Sequence, residues 1–86
     1  MKVENMESNK GNPVPNQFII SSNEGIFFQS YNSIICKLIE NKVFLDKYYW
    51  NYSHTTAKYR RKFLNEGVED TRNKIKSGEY ILTNLN

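Results

Sequence analysis

From Phe18 to Leu45 the chain repeats one arrangement, a short run of β-branched and aromatic residues followed by a turn signal. Phe18-Ile19-Ile20 leads into Ser22-Asn23-Glu24-Gly25 and then into Ile26-Phe27-Phe28. Runs this short between turn formers fold as strands, and Gly25, free to adopt the left-handed conformation, closes the short loop of a β-hairpin. Ser33 to Ile39 alternates as a strand does, with Ile34, Cys36 and Leu38 on one side and Ile35, Lys37 and Ile39 on the other. Glu40-Asn41-Lys42 is the next turn, and Val43-Phe44-Leu45 suits a fourth short, half-buried strand. The simplest arrangement of four such strands is an antiparallel meander.

After Asp46 the period changes. Lys47 to Tyr52 reads as one irregular helical turn carrying Tyr48, Tyr49, Trp50 and Tyr52. A single turn cannot point four rings inward, so Trp50 and Tyr52 are expected in the core and at least one of Tyr48 and Tyr49 in solvent. Ser53 then caps a helix over Thr55 to Glu66, since a serine oxygen accepts from an otherwise unpaired N–H of the first turn. Thr56, Tyr59 and Phe63, flanked by Ala57 and Leu64, share one face of it, and Lys58, Arg61, Lys62 and Asn65 the other. Gly67 is expected to end this helix as a left-handed cap. A shorter helix follows from Val68 to Lys76, with Glu69 and Asp70 in its first turn and Lys74 and Lys76 in its last, as the helix dipole favours. Gly78 stops it, and the alternation through Tyr80 to Leu85 closes the chain on a strand. The fold class is α+β: an antiparallel sheet of about four to five short strands, two helices from the C-terminal half packed on it, and a closing strand.

Before this pattern begins, Met1 to Pro15 holds Asn, Glu, Lys, Ser and Gly, two prolines, and only scattered apolar residues. Such a stretch cannot bury enough apolar surface to order itself, so residues 1–15 are expected as a disordered tail and 16–86 as a single domain. At 86 residues there is no room for a second core. So short a chain buries only roughly 60% of its unfolded surface, and self-association as a homodimer or a partner would add to its core.

The single Cys36 excludes an internal disulfide and fits a reducing, cytoplasmic setting; with His54 the only histidine, no zinc-ligand set can be assembled. No stretch approaches the roughly 20 apolar residues that span a bilayer, and no apolar signal-peptide core opens the chain. The formal charge of +3 favours polyanions only slightly. Ser53-His54-Thr55-Thr56 sets hydroxyls beside an imidazole, but neighbours at a helix start cannot be oriented as a triad, and capping accounts for the hydroxyls. Glu69 and Asp70 have their dipole role, and no glycine-rich phosphate loop precedes a helix. Neither a catalytic nor a cofactor site is expected, and Cys36 is read as a small buried apolar residue.

The binding chemistry lies elsewhere. Lys58, Arg61 and Lys62, spaced i, i+3, i+4, either track a phosphate backbone or simply face water, and an exposed Tyr48 or Tyr49 just before them would stack on a base. Arg60 falls in the middle of the apolar face. A buried guanidinium needs a partner, so Arg60 is expected to pair with a carboxylate such as Asp46 or Asp70, or to lie under a bound partner. The candidate binding surface is therefore Tyr48, Tyr49, Lys58, Arg60, Arg61 and Lys62.

Three stretches carry a family resemblance: Pro15-Asn16-Gln17-Phe18 with Phe28-Gln29-Ser30-Tyr31, Tyr49-Trp50-Asn51-Tyr52-Ser53 with Thr55 to Arg60, and Thr71 to Tyr80 with Leu82-Thr83-Asn84-Leu85-Asn86. Over Pro15 to Asn86 the chain resembles a family of small uncharacterised proteins from phages and prophages of low-GC Gram-positive bacteria, in which Asp stands at the place of Asn51. The abundance of Asn, Lys, Ile and Tyr suits such a source. The resemblance implies no catalytic residues. It implies a small interaction protein that binds a host protein or nucleoprotein complex in the host cytoplasm, an anti-defence inhibitor of the anti-CRISPR kind being one form. The alternative is a nucleic-acid-binding accessory protein using the basic helix and its aromatic neighbours.

Overall fold

The computed structural model describes residues 1–86. Six strands form one sheet in chain order: β1 (Lys2–Glu7), β2 (Pro13–Ser22), β3 (Gly25–Ser30), β4 (Ser33–Ile39), β5 (Lys42–Asp46) and β6 (Tyr80–Thr83). The first five are antiparallel neighbours. Between β5 and β6 the chain forms α1 (His54–Leu64) and α2 (Val68–Ser77) and returns parallel to β5. A parallel return needs such a crossover, because a tight turn can only reverse the strand direction. The α+β architecture with its closing strand is the expected one.

The hairpins explain themselves locally. Glu40 and Asn41 both take positive φ, 48° and 67°, as a two-residue turn requires when its twist must match that of the strands it joins. Gly25 has φ 150°, and a Cβ there would lie 2.3 Å from the Leu38 carbonyl oxygen and 2.8 Å from Ile39 Cγ1. The close approach of β4 therefore demands glycine as firmly as the turn does.

Two expectations are corrected here. Residues 1–15 are not a disordered tail: Lys2–Glu7 pairs with β2, Met6 is 7% exposed in the core, and Lys62 Nζ donates to the Glu7 carbonyl at 3.0 Å. An edge strand held by backbone bonds, with one buried side chain, has no apolar period to display. The strict alternation of β4 is also broken. Phe28 lies opposite Cys36 and Gln29 opposite Ile34, so Ile35 is the extra residue of a β-bulge. The bulge turns Ile35 and Cys36 to the same side, and both are fully buried.

That side is the one the helices cover. Phe28 stacks on Phe63 of α1 at 5.7 Å, and Ile35, Cys36, Leu45, Tyr59 and Tyr80 complete the core. Ser53 caps α1, its Oγ accepting from Thr56 N–H at 3.1 Å and donating to Thr56 Oγ1, which in turn meets Ser30 Oγ at 2.9 Å. Gly67 does not end α1. Asn65 takes the left-handed position, φ 56°, and Gly67 is extended as the residue leading into α2. Gly78 stops α2 at φ 85°, as expected.

Candidate binding surface

The segment from Tyr48 to Lys62 separates into exposed and structural residues. Tyr48 is 71% exposed, with Lys47 Nζ over its ring. Tyr49 is packed against the core and meets Tyr52 edge to face at 5.5 Å. Tyr52 is not buried as expected but 58% exposed, and Trp50 is half-buried. The turn is closed by Trp50 N–H donating to the Asp46 carbonyl and by the Tyr48 and Tyr49 N–H groups donating to the Asp46 side chain, and this one irregular turn does not bring both rings inward.

Trp50 nevertheless has a fixed role, because Arg60 lies against it. Arg60 is wholly buried and so cannot belong to a contact surface. Its Nη1 donates to the Trp50 carbonyl at 2.8 Å and to Asn51 Oδ1 at 2.9 Å, and its guanidinium sits 5.1 Å from the Trp50 ring centre. Neither Asp46 nor Asp70 reaches it. Nε and Nη2 have no partner, and burial depresses the guanidinium's proton affinity from its ordinary value. Arg60 thus pins the aromatic turn to α1 through neutral oxygens alone.

The basic stripe is partly structural too. Lys58 and Lys62 place their ammoniums 5.6 and 5.4 Å from the ring of Tyr59, which is 5% exposed beneath them. Their stems roof the core while the charges stay in water. Only Arg61 of the stripe stands free of any side-chain partner.

A larger surface lies on the other side of the sheet. Residues opposite one another in neighbouring strands share a face, and Val3, Ile20, Phe27, Lys37, Phe44 and Ile81 are opposed in succession across all six strands. Phe27 precedes the helix-covered Phe28, so this line points away from both helices. Beside it Asn5, Phe18, Gln29 and Ile34 are opposed in the same way. Val3 is 56% and Ile81 41% exposed, and the residues between them are half-buried against one another. Lys37 Nζ lies 5.6 Å from the Phe27 ring centre. This line was missed in the sequence, although alternate positions of the expected strands already contained it.

Two carboxylates close the ends of the structure. Asp46 is fully buried where the open face meets the chain's last residues. Its Oδ2 accepts from the Tyr48 and Tyr49 N–H groups at 3.1 and 3.0 Å, and its Oδ1 from Leu85 N–H at 2.8 Å and the Asn86 amide at 3.0 Å. Burial raises its pKa, but these four donors outweigh it and hold the carboxyl below its ordinary 3.8. Asn86 also bonds both backbone groups of Ile34 through its side chain, extending the sheet where β5 has ended. On the helix side, Glu66 accepts from Thr71 Oγ1 at 2.6 Å, Lys74 Nζ at 2.8 Å and the Tyr80 hydroxyl at 2.6 Å. Burial opposes its ionisation, and those bonds again win, lowering its pKa. Tyr80 is pushed up to about 12, first by burial and then by the bond it donates to Glu66. Both carboxylates are saturated with donors that tie elements together.

Comparison with curated proteins and with solved structures returned no match. A family model does match, and it includes β1, which the resemblance beginning at Pro15 had left out. With that model covering residues 1–81, nearly the whole length described above, the chain belongs to a family of unknown function (DUF8033).

Proposed function

We propose that the protein acts by binding, without catalysis, and that the open sheet face is the surface that meets its partner. The observation that carries this reading is the line from Val3 to Ile81. An antiparallel sheet with one solvated face ordinarily turns polar residues outward. Here four of the six residues along that line are isoleucine or phenylalanine, and an apolar patch that no element covers marks an interaction site. The phage setting implied by the resemblance suits a small protein that occludes or redirects a host protein or nucleoprotein complex, with anti-defence inhibition as the finer form of that reading.

The test is site-specific photo-crosslinking in cells, with a benzophenone amino acid at Phe27 or Phe44 and, as the competing surface, at Tyr48 or Arg61. Adducts are expected from positions 27 and 44 and not from 48 or 61. Adducts from Tyr48 and Arg61 alone would move the working surface to the aromatic turn and α1. Adducts from none of the four would remove the binding reading.

A further inference from the structure

Resting on that reading, we infer that the partner on the open face is a single-stranded nucleic acid, its bases stacked on Phe27 and Phe44 and its phosphates held by Lys37 and Lys42. Phe27 and Phe44 stand directly opposite Lys37 on its two sides. Strands lie about 4.8 Å apart, so the two rings are about 10 Å apart with an ammonium between them. Phe18 adds a third ring one row away, beside Gln29. Flat aromatic side chains on an open sheet accept unstacked bases of any sequence, whereas bases paired within a duplex cannot present their faces.

Charge separates this occupant from the others. Lys42 lies opposite Ile39 and Gly25 opposite Ser22, in the row next to the aromatic line. Of the aromatic line and the rows on either side, only Asp46 is acidic, and it is fully buried with its oxygens saturated by four donors; Glu24 and Glu40 sit in the hairpin turns at the margin. The face is therefore apolar and cationic. A second copy of the chain would bring one Lys37 against another, with no exposed carboxylate in those rows to neutralise them, and removing like charges from water together is strongly unfavourable. A polyanion with flat apolar faces meets both properties at once. Lys58 and Lys62 on α1, by contrast, roof Tyr59 and lie on the opposite side of the sheet.

The experiment is fluorescence anisotropy of the full chain with labelled oligothymidylate, oligouridylate and a DNA duplex, over a salt titration. Single strands are expected to bind and the duplex to bind more weakly. With about two phosphates neutralised, log affinity should fall against log salt with a slope of about −1.4, and Lys37→Gln should flatten that slope by about 0.7. Phe27→Leu with Phe44→Leu keeps the apolar area and hence the fold, but removes the rings; each lost stack should weaken binding roughly 5- to 150-fold. Circular dichroism verifies that the variants fold. No binding to either single strand at low salt, full affinity in the double leucine variant, or preference for the duplex would each overturn the inference. If crosslinks from positions 27 and 44 lead only to protein while oligonucleotides do not bind, the inference falls and the binding reading stands. Loss of oligonucleotide binding on Arg61→Glu, with the leucine variant unaffected, would instead assign it to α1.

Discussion

The two faces of the sheet are built from the same kinds of residue and have opposite fates. One carries Phe28, Cys36 and Leu45, all fully buried under α1 and α2; the other carries Phe27, Ile20 and Phe44, shielded only by one another. Phe27 and Phe28 are adjacent in sequence and chemically identical, yet one stacks on Phe63 and the other on nothing but a lysine. An apolar strand residue is thus not by itself a core residue. What makes it one is the element that the crossover lays over it.

The largest expected effect comes from exchanging those neighbours. Phe28→Ala should destabilise the fold by about 3–5 kcal/mol, because it opens a cavity in a packed core. Phe27→Ala should cost about 1 kcal/mol, because only part of its ring leaves water on folding. Equal losses in chemical denaturation would show that something covers both faces in the free protein.

The next effect concerns the end of the open face, which Asp46 closes. Asp46→Asn places amide hydrogens against backbone donors and should cost about 2–3 kcal/mol by leaving buried donors unpaired. The pH dependence has the matching sign. Asp46 and Glu66 both have folded pKa values below their ordinary 3.8 and 4.5, so their stabilisation is complete above those values and is lost as pH falls through the folded ones. Tyr80, raised from 10.0 to about 12, contributes fully below pH 10 and loses its contribution as pH rises toward 12. Melting curves across this range should show a flat top with an acid and an alkaline shoulder. In Asp46→Asn the acid shoulder should shrink, leaving the part due to Glu66.

The smallest effect sharpens the contrast between two buried charges. Asp46 has four donors, whereas Arg60, under the covered face, has two neutral acceptors and two unpartnered nitrogens. Asn51→Asp would supply the carboxylate that the guanidinium lacks and should stabilise the protein by about 1 kcal/mol, since a bond between two charged groups is stronger than one to an amide. A melting temperature unchanged or lowered by this substitution would mean that the Arg60 environment is already satisfied.

Much of this was legible from local rules. Strands β2 to β5, the Ser53 cap and the Gly78 stop all follow from short-range sterics and hydrogen bonding, which sequence neighbours specify. Strand β1 was not legible, because only Met6 of its side chains is buried and its pairing rests on backbone groups that every residue possesses. The bulge at Ile35 was hidden for a related reason: periodicity assumes a register, and the register is set jointly with β3. Of the proposed contact residues, Tyr48 and Arg61 are exposed as a contact requires, while Arg60 is interior, since helical spacing placed it on the inner face but could not say which oxygens would reach it.

By itself, then, the sequence determined the α+β class, the hairpin turns, the Ser53 cap and the Gly78 stop. Only the tertiary structure decided which apolar face would be covered. Both faces carry isoleucine and phenylalanine, and which of them is covered depends on where the crossover from β5 to β6 lays the helices, a property of the whole chain and of no segment within it.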